Sequence, residues 1–108
     1  MIDFKRMDET CLEAFYGGKG ALRAKMVSDD RNRILKGRLV PGASIGEHCH
    51  ETSSEIIFVV SGEGTVILDG QEERLTADTC HYCRKGQTHT LLNDGTEDLV
   101  FYAVVPQQ

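Results

Sequence analysis

Gly42-Ala43-Ser44-Ile45-Gly46-Glu47-His48-Cys49-His50-Glu51-Thr52-Ser53-Ser54-Glu55-Ile56-Ile57-Phe58-Val59-Val60-Ser61-Gly62 is the stretch on which the reading of this chain turns. His48 and His50 are two residues apart, and on an extended strand that spacing puts both imidazoles on one face with Cys49 on the other. Glu51 to Ser54 are polar and small enough to turn the chain. Glu55 then starts a second strand beside the histidines and brings an anionic oxygen to the same face. From Ile56 to Val60 the segment is apolar on both faces, so both sides of this strand need covering. One face suits a barrel interior, and the other calls for a second sheet or a second subunit, the first sign of a homodimer.

The same strand-and-turn grammar extends in both directions. Runs rich in Val, Ile, Leu and Thr recur at Ala21 to Val27, Arg33 to Val40, Ala43 to His50, Glu55 to Ser61, Thr65 to Leu68, Glu73 to Thr76, Cys80 to Cys83, Thr88 to Leu92 and Leu99 to Val105. Pro41-Gly42, Gly62-Glu63-Gly64, Asp69-Gly70 and Asn93-Asp94-Gly95 punctuate them with residues that reach positive φ cheaply. Eight or nine antiparallel strands in about 90 residues imply a sandwich or a small barrel. Asp8 to Phe15 is the only helix-like stretch, ended by the glycines at 17, 18 and 20.

The length of 108 residues suits one domain spanning 1–108, with the barrel at about 33–105. Twelve Lys and Arg against seventeen Asp and Glu leave a net charge of −5, which makes nucleic acid a poor partner. No apolar run reaches the roughly 18 residues that cross a membrane, and the start carries no apolar stretch of the export type, so a cytoplasmic protein without membrane association is expected. Cys11, Cys49, Cys80 and Cys83 are then reduced thiols rather than a disulfide framework. Cys80-x-x-Cys83 reads as inert, since residues three apart on a strand face opposite ways, and Cys49 reads as a small buried filler pointing away from the histidines.

His89 lies in Gly86-Gln87-Thr88-His89-Thr90-Leu91-Leu92-Asn93. Gly42, five residues, His48-x-His50, four residues, Glu55, six residues, Gly62, and later Gly86-x-x-His89-x-x-x-Asn93, resemble the two signatures of the cupin superfamily. The resemblance implies an all-β double-stranded β-helix, or jelly-roll, preceded by the short N-terminal helical or irregular segment that the residues up to Phe15 suggest. It also implies that His48, His50, Glu55 and His89 are ligands of one divalent transition metal in the barrel mouth. The second signature departs from the pattern: Asp78 and Arg84 stand where a glycine and a proline are usual, which leaves open the turn leading into His89. Asn93 reads more simply as turn chemistry.

Three neutral nitrogens and one carboxylate suit Mn, Fe, Ni or Co in octahedral form, with Zn and Cu also compatible, and leave positions for a substrate. Ile57, Val59 and Leu91 are the apolar pocket candidates on that face. Gln87 is the nearest neutral polar group, and Tyr102 is the candidate from the last strand. The ligand is expected to be a small carboxylate, diol or sugar. A metal-dependent oxygenase, decarboxylase or isomerase is the first functional reading, a non-catalytic binding or sensor module the second, and a purely structural metal the third.

Overall fold

The computed structural model describes residues 1–108. Ten strands form two antiparallel sheets that face each other: β1 (Thr10–Glu13), β2 (Ala21–Ser28), β3 (Asn32–Leu39), β4 (Ser44–Cys49), β5 (Glu55–Ser61), β6 (Gly64–Leu68), β7 (Gln71–Leu75), β8 (Cys80–Cys83), β9 (Thr88–Leu92) and β10 (Leu99–Pro106). The larger sheet runs β1-β2-β3-β10-β5-β8 and the smaller β4-β9-β6-β7. This is the expected double-stranded β-helix. Three of the nine expected strands match to the residue and the others within two.

The N-terminal stretch is corrected. Asp8 to Phe15 is not a helix: Thr10–Glu13 pairs with β2 in the register Leu12 to Leu22, between short 3₁₀ turns at Phe4–Arg6 and Phe15–Gly17. The apolar side chains explain the choice, because Leu12 and Phe15 both lie against the barrel core, and a helix this short gains too little from its own bonds to compete. Outside the barrel, Glu9 accepts two hydrogen bonds from the Arg38 guanidinium at 2.8 Å, tying the edge to β3.

The core is built from alternate residues of both sheets, including Leu22, Leu35, Leu39, Ile45, Ile57, Val59, Val66, Leu91, Leu99 and Phe101. In β5 the alternation is clean: Ile57 and Val59 are buried, while Phe58 and Val60 remain 51% and 46% exposed. The doubly apolar strand thus keeps one face open to its surroundings. No helix is long and apolar enough to cross a membrane.

Candidate metal centre

The β4–β5 connection and β9 build the site. His48 stands directly opposite His89 in the β4–β9 ladder, and a register shift between Ile45 and His48 swings the end of β4 toward the barrel mouth. His50 follows β4 immediately and is pinned by backbone bonds from His50 N–H to the Gln87 carbonyl at 3.0 Å and from Gly86 N–H to the His50 carbonyl at 2.7 Å. Glu55 opens β5. The expected four residues therefore converge: His48, His50, Glu55 and His89 each offer a ligand atom within 4.8 Å of the others.

The spacing tests whether an ion fits. The three Nε2 atoms lie 3.0–3.1 Å apart, and Glu55 Oε1 lies 3.2 Å from His50 Nε2 and 3.0 Å from His89 Nε2. His48 and Glu55 form the one pair without a short contact. An octahedral ion with bonds of about 2.2 Å has adjacent donors about 3.1 Å apart and opposite donors about 4.4 Å apart, whereas a tetrahedron makes all six spacings equal. Five short spacings and one long one match four corners of an octahedron, with Glu55 opposite His48 and two adjacent positions left over. The donor set thus fits a six-coordinate divalent metal, and these four residues could hold one.

Proton placement supports the same reading. His48 Nδ1–H donates to the Gly46 carbonyl at 2.8 Å, and His50 Nδ1 meets Ser53 Oγ at 2.9 Å. A carbonyl only accepts, so the lone pair of His48 is on Nε2, toward the cluster. Burial holds His48 below the usual histidine range, which keeps it neutral and ready to ligate. Burial opposes ionisation of Glu55, yet its close contacts with the His50 and His89 rings outweigh it and bring the carboxyl down to about 2.

Around the cluster opens a cavity of about 370 Å³, lined on its apolar side by Phe15, Tyr16, Leu22, Leu35, Ile45 and Phe101. Its cationic lining residue is Arg33, with Asn32 and Gln107 nearby. Tyr16 stacks on the His48 ring, with centroids 4.0 Å apart and planes 11° apart. The sequence reading missed this wall, because Tyr16 reaches the site from outside the motif through the turn at Phe15–Gly17. The signal was the glycine pair Gly18 and Gly46. A Cβ on Gly46 would collide with the Tyr16 carbonyl, and one on Gly18 with the Ser44 carbonyl.

The expected pocket wall is corrected. Ile57, Val59 and Leu91 are buried in the core but are not among the residues that line the cavity, whose apolar wall comes instead from Phe15, Tyr16, Leu22, Leu35, Ile45 and Phe101. Gln87 turns away: its Nε2 donates to Asp69 at 3.0 Å and its Oε1 accepts from Arg84 N–H at 2.9 Å. That second bond closes the turn into His89 where a proline is usual, and Asp78 takes the left-handed φ of 67° that glycine would otherwise supply. Tyr102 faces outward at 38% exposure beside Phe4, so the parity of β10 gives the inner place to Phe101. Cys49 is not one of the clustered donors, and it is exposed, not buried, with its Sγ 3.8 Å from the Gly86 carbonyl. Cys80 is exposed and Cys83 buried, on opposite faces as expected. Asn93 is a turn residue, donating to the Leu39 and Glu97 carbonyls at 2.7 and 2.8 Å.

His81 is the second residue the sequence reading left without a role. It is 2% exposed and faces inward because β8 pairs with β5 in the register His81 to Ile57. Its Nε2 meets His89 Nδ1 at 3.0 Å, and its Nδ1 meets Glu73 Oε1 at 3.0 Å.

Comparison with known proteins agrees with the barrel and the motif. The oxalate-binding protein of Thermotoga maritima is 33% identical over 95 residues, which cover 82% of this chain and 78% of that protein. A crystal structure described as a predicted oxalate decarboxylase from Thermotoga maritima superposes with a TM-score of 0.94 at 25% identity, covering 100% of this chain and 99% of that one. A Cupin 2 conserved barrel domain protein from Salinispora arenicola gives a TM-score of 0.70 at 27% identity, over 78% of this chain and 74% of that one. A family model for the cupin domain matches residues 35–105, and the chain belongs to the cupin family.

Proposed function

We propose that this protein holds one divalent transition metal on His48, His50, Glu55 and His89 and binds a small carboxylate there. The observation that carries the reading is the convergence of three imidazole nitrogens and one carboxylate oxygen within 4.8 Å of one another, beside a cavity of about 370 Å³ that His48, His50 and Glu55 help to line. That volume lies near the lower end for small-molecule pockets. The similarity to an oxalate-binding protein supports a carboxylate as the ligand class.

When bound, the metal supplies Lewis-acid attraction for an anionic oxygen. The protein supplies the rest. Gly46 and Ser53 orient the rings of His48 and His50, Tyr16 covers the outer face of His48, and Phe15, Ile45 and Phe101 limit the ligand to a compact shape. Arg33 offers a cation to a second anionic group. Turnover of the carboxylate is the second reading, favoured by the similarity to a structure described as a predicted oxalate decarboxylase.

The exposed outer face of β5, β8 and β10, where Phe58, Val60, Tyr82 and Tyr102 stand at 38–51% exposure, is the surface on which a second copy would make the homodimer. The four free thiols suit the reducing cytoplasm.

The test loads the protein with Mn(II) or Co(II) and adds oxalate, malonate or acetate while following thermal unfolding, carbon dioxide release and oxygen uptake. Stabilisation of the loaded protein alone, reaching about 2.7 kcal/mol at 100 times the dissociation constant, supports carboxylate binding. Product formation selects the enzyme. No response to any carboxylate refutes the ligand class.

A further inference from the structure

Behind His89 the fold places a second histidine and a carboxylate in line. Glu73 on β7, His81 on β8 and His89 on β9 are joined by contacts of 3.0 Å from Glu73 Oε1 to His81 Nδ1 and 3.0 Å from His81 Nε2 to His89 Nδ1. His81 and His89 are fully enclosed, with side-chain exposures of 1% and 0%, while Glu73 is half exposed at 51%. The two rings meet edge to edge, with centroids 5.2 Å apart and planes 26° apart, so the nitrogen–nitrogen contact lies close to both ring planes. Three strands from two sheets thus contribute one side chain each to a line running from the surface to the cluster.

We propose that Glu73 and His81 are positioning residues that fix the tautomer and orientation of His89 and raise its strength as a metal ligand. The inference rests on the metal-binding reading above. A carboxylate only accepts, so the proton between Glu73 and His81 is on His81 Nδ1. Neutral His81 then presents a lone pair at Nε2, which accepts from His89 Nδ1–H. His89 is left with its own lone pair on Nε2, 3.0–3.1 Å from the Nε2 atoms of His50 and His48. The negative charge of Glu73 is felt along this line and makes the His89 imidazole a better donor. Its counterparts behind His48 and His50 are neutral, a carbonyl and a hydroxyl, so His89 is the ligand tuned by a charge.

The test uses Glu73→Gln, which keeps an oxygen acceptor without the charge, Glu73→Leu, which removes both, and His81→Phe, which keeps the volume without the acceptor. Co(II) affinity by competition, the visible spectrum of the Co(II) protein, and ¹⁵N imidazole shifts of the Zn(II) protein are measured. Affinity should fall in the order wild type, Gln, Leu, with His81→Phe losing about 10- to 100-fold and shifting the Co(II) bands. The nitrogen shifts should put the His81 proton on Nδ1. Should His81→Phe fail to fold, the exposed Glu73 pair decides. Wild-type affinity and spectrum in Glu73→Leu, or a proton on His81 Nε2, overturns the inference while leaving metal binding intact. A wild-type protein that takes up no metal overturns both.

Discussion

His48 and His89 face each other across the β4–β9 pair, and their Nε2 atoms lie 3.1 Å apart. With each Nδ1 proton engaged elsewhere, these nitrogens present lone pairs to one another, an arrangement that is repulsive unless a proton or a cation lies between. Glu55 adds a carboxylate at 3.0 Å from His89. Such a cluster attracts cations by construction.

Glu55→Gln should therefore separate binding from folding. Removing the one anionic donor should lower divalent-metal affinity by on the order of 100-fold or more, beyond the loss typical of supporting residues. The barrel core does not use this carboxylate, so circular dichroism should show an unchanged β fold. Unaltered affinity by calorimetry would contradict the ligand assignment.

Acid should weaken the metal-free protein in two stages. Burial holds His48 and His81 below the usual histidine range, so as pH falls the unfolded chain takes up these protons before the folded one does. Their contribution is complete above about pH 6.5 and declines below it. Glu55, brought down to about 2 from an ordinary 4.5, contributes above pH 4.5 and loses that contribution between 4.5 and about 2. Urea midpoints should decline steadily from neutral pH downward, and metal uptake should weaken over the first stage because protons compete for the imidazoles. A stability maximum near pH 5 would contradict this.

The strand pattern was legible almost throughout because turn residues and alternation are local properties. His48, His50 and Glu55 were legible because parity on a strand and a short polar turn suffice to place them, whereas His89 was legible through its resemblance to the second cupin signature. Ile57, Val59 and Leu91 show where parity stops: it says inward, but not whether inward means the sealed core or the open mouth. Tyr16 and His81 depended on tertiary register, the first through glycine contacts with β4 and the second through the pairing of β8 with β5. The start of the chain went to a strand because Leu12 and Phe15 gain more from the core than from a helix.

Gly46→Ala probes the wall that Tyr16 makes. The added methyl would strike the Tyr16 carbonyl, so the Phe15–Gly17 turn must shift and the stack on His48 must open. A loss of about 1–3 kcal/mol in unfolding free energy is expected, as for an overpacked site. Tyr16→Ala, which removes the ring without disturbing the strand, should cost less. Equal stability of Gly46→Ala and wild type would show that the turn does not rest on β4.

Thiol chemistry gives a count. Cys11, Cys49 and Cys80 are exposed, whereas Cys83 is buried and its thiol is pushed up to about 12 by burial and by the nearby Glu55 charge. A disulfide-exchange reagent at neutral pH should label three cysteines in the folded protein and the fourth only after unfolding. Rapid labelling of all four would contradict the packing of β8 against the barrel.

The most direct measurement is anomalous diffraction from crystals of the protein loaded with a single transition metal, collected at that metal's absorption edge. One peak per chain is expected, bonded at about 2.2 Å to the Nε2 atoms of His48, His50 and His89 and to Glu55, with Glu55 opposite His48. A peak held by other residues, or no peak between these four after loading, would contradict the assignment.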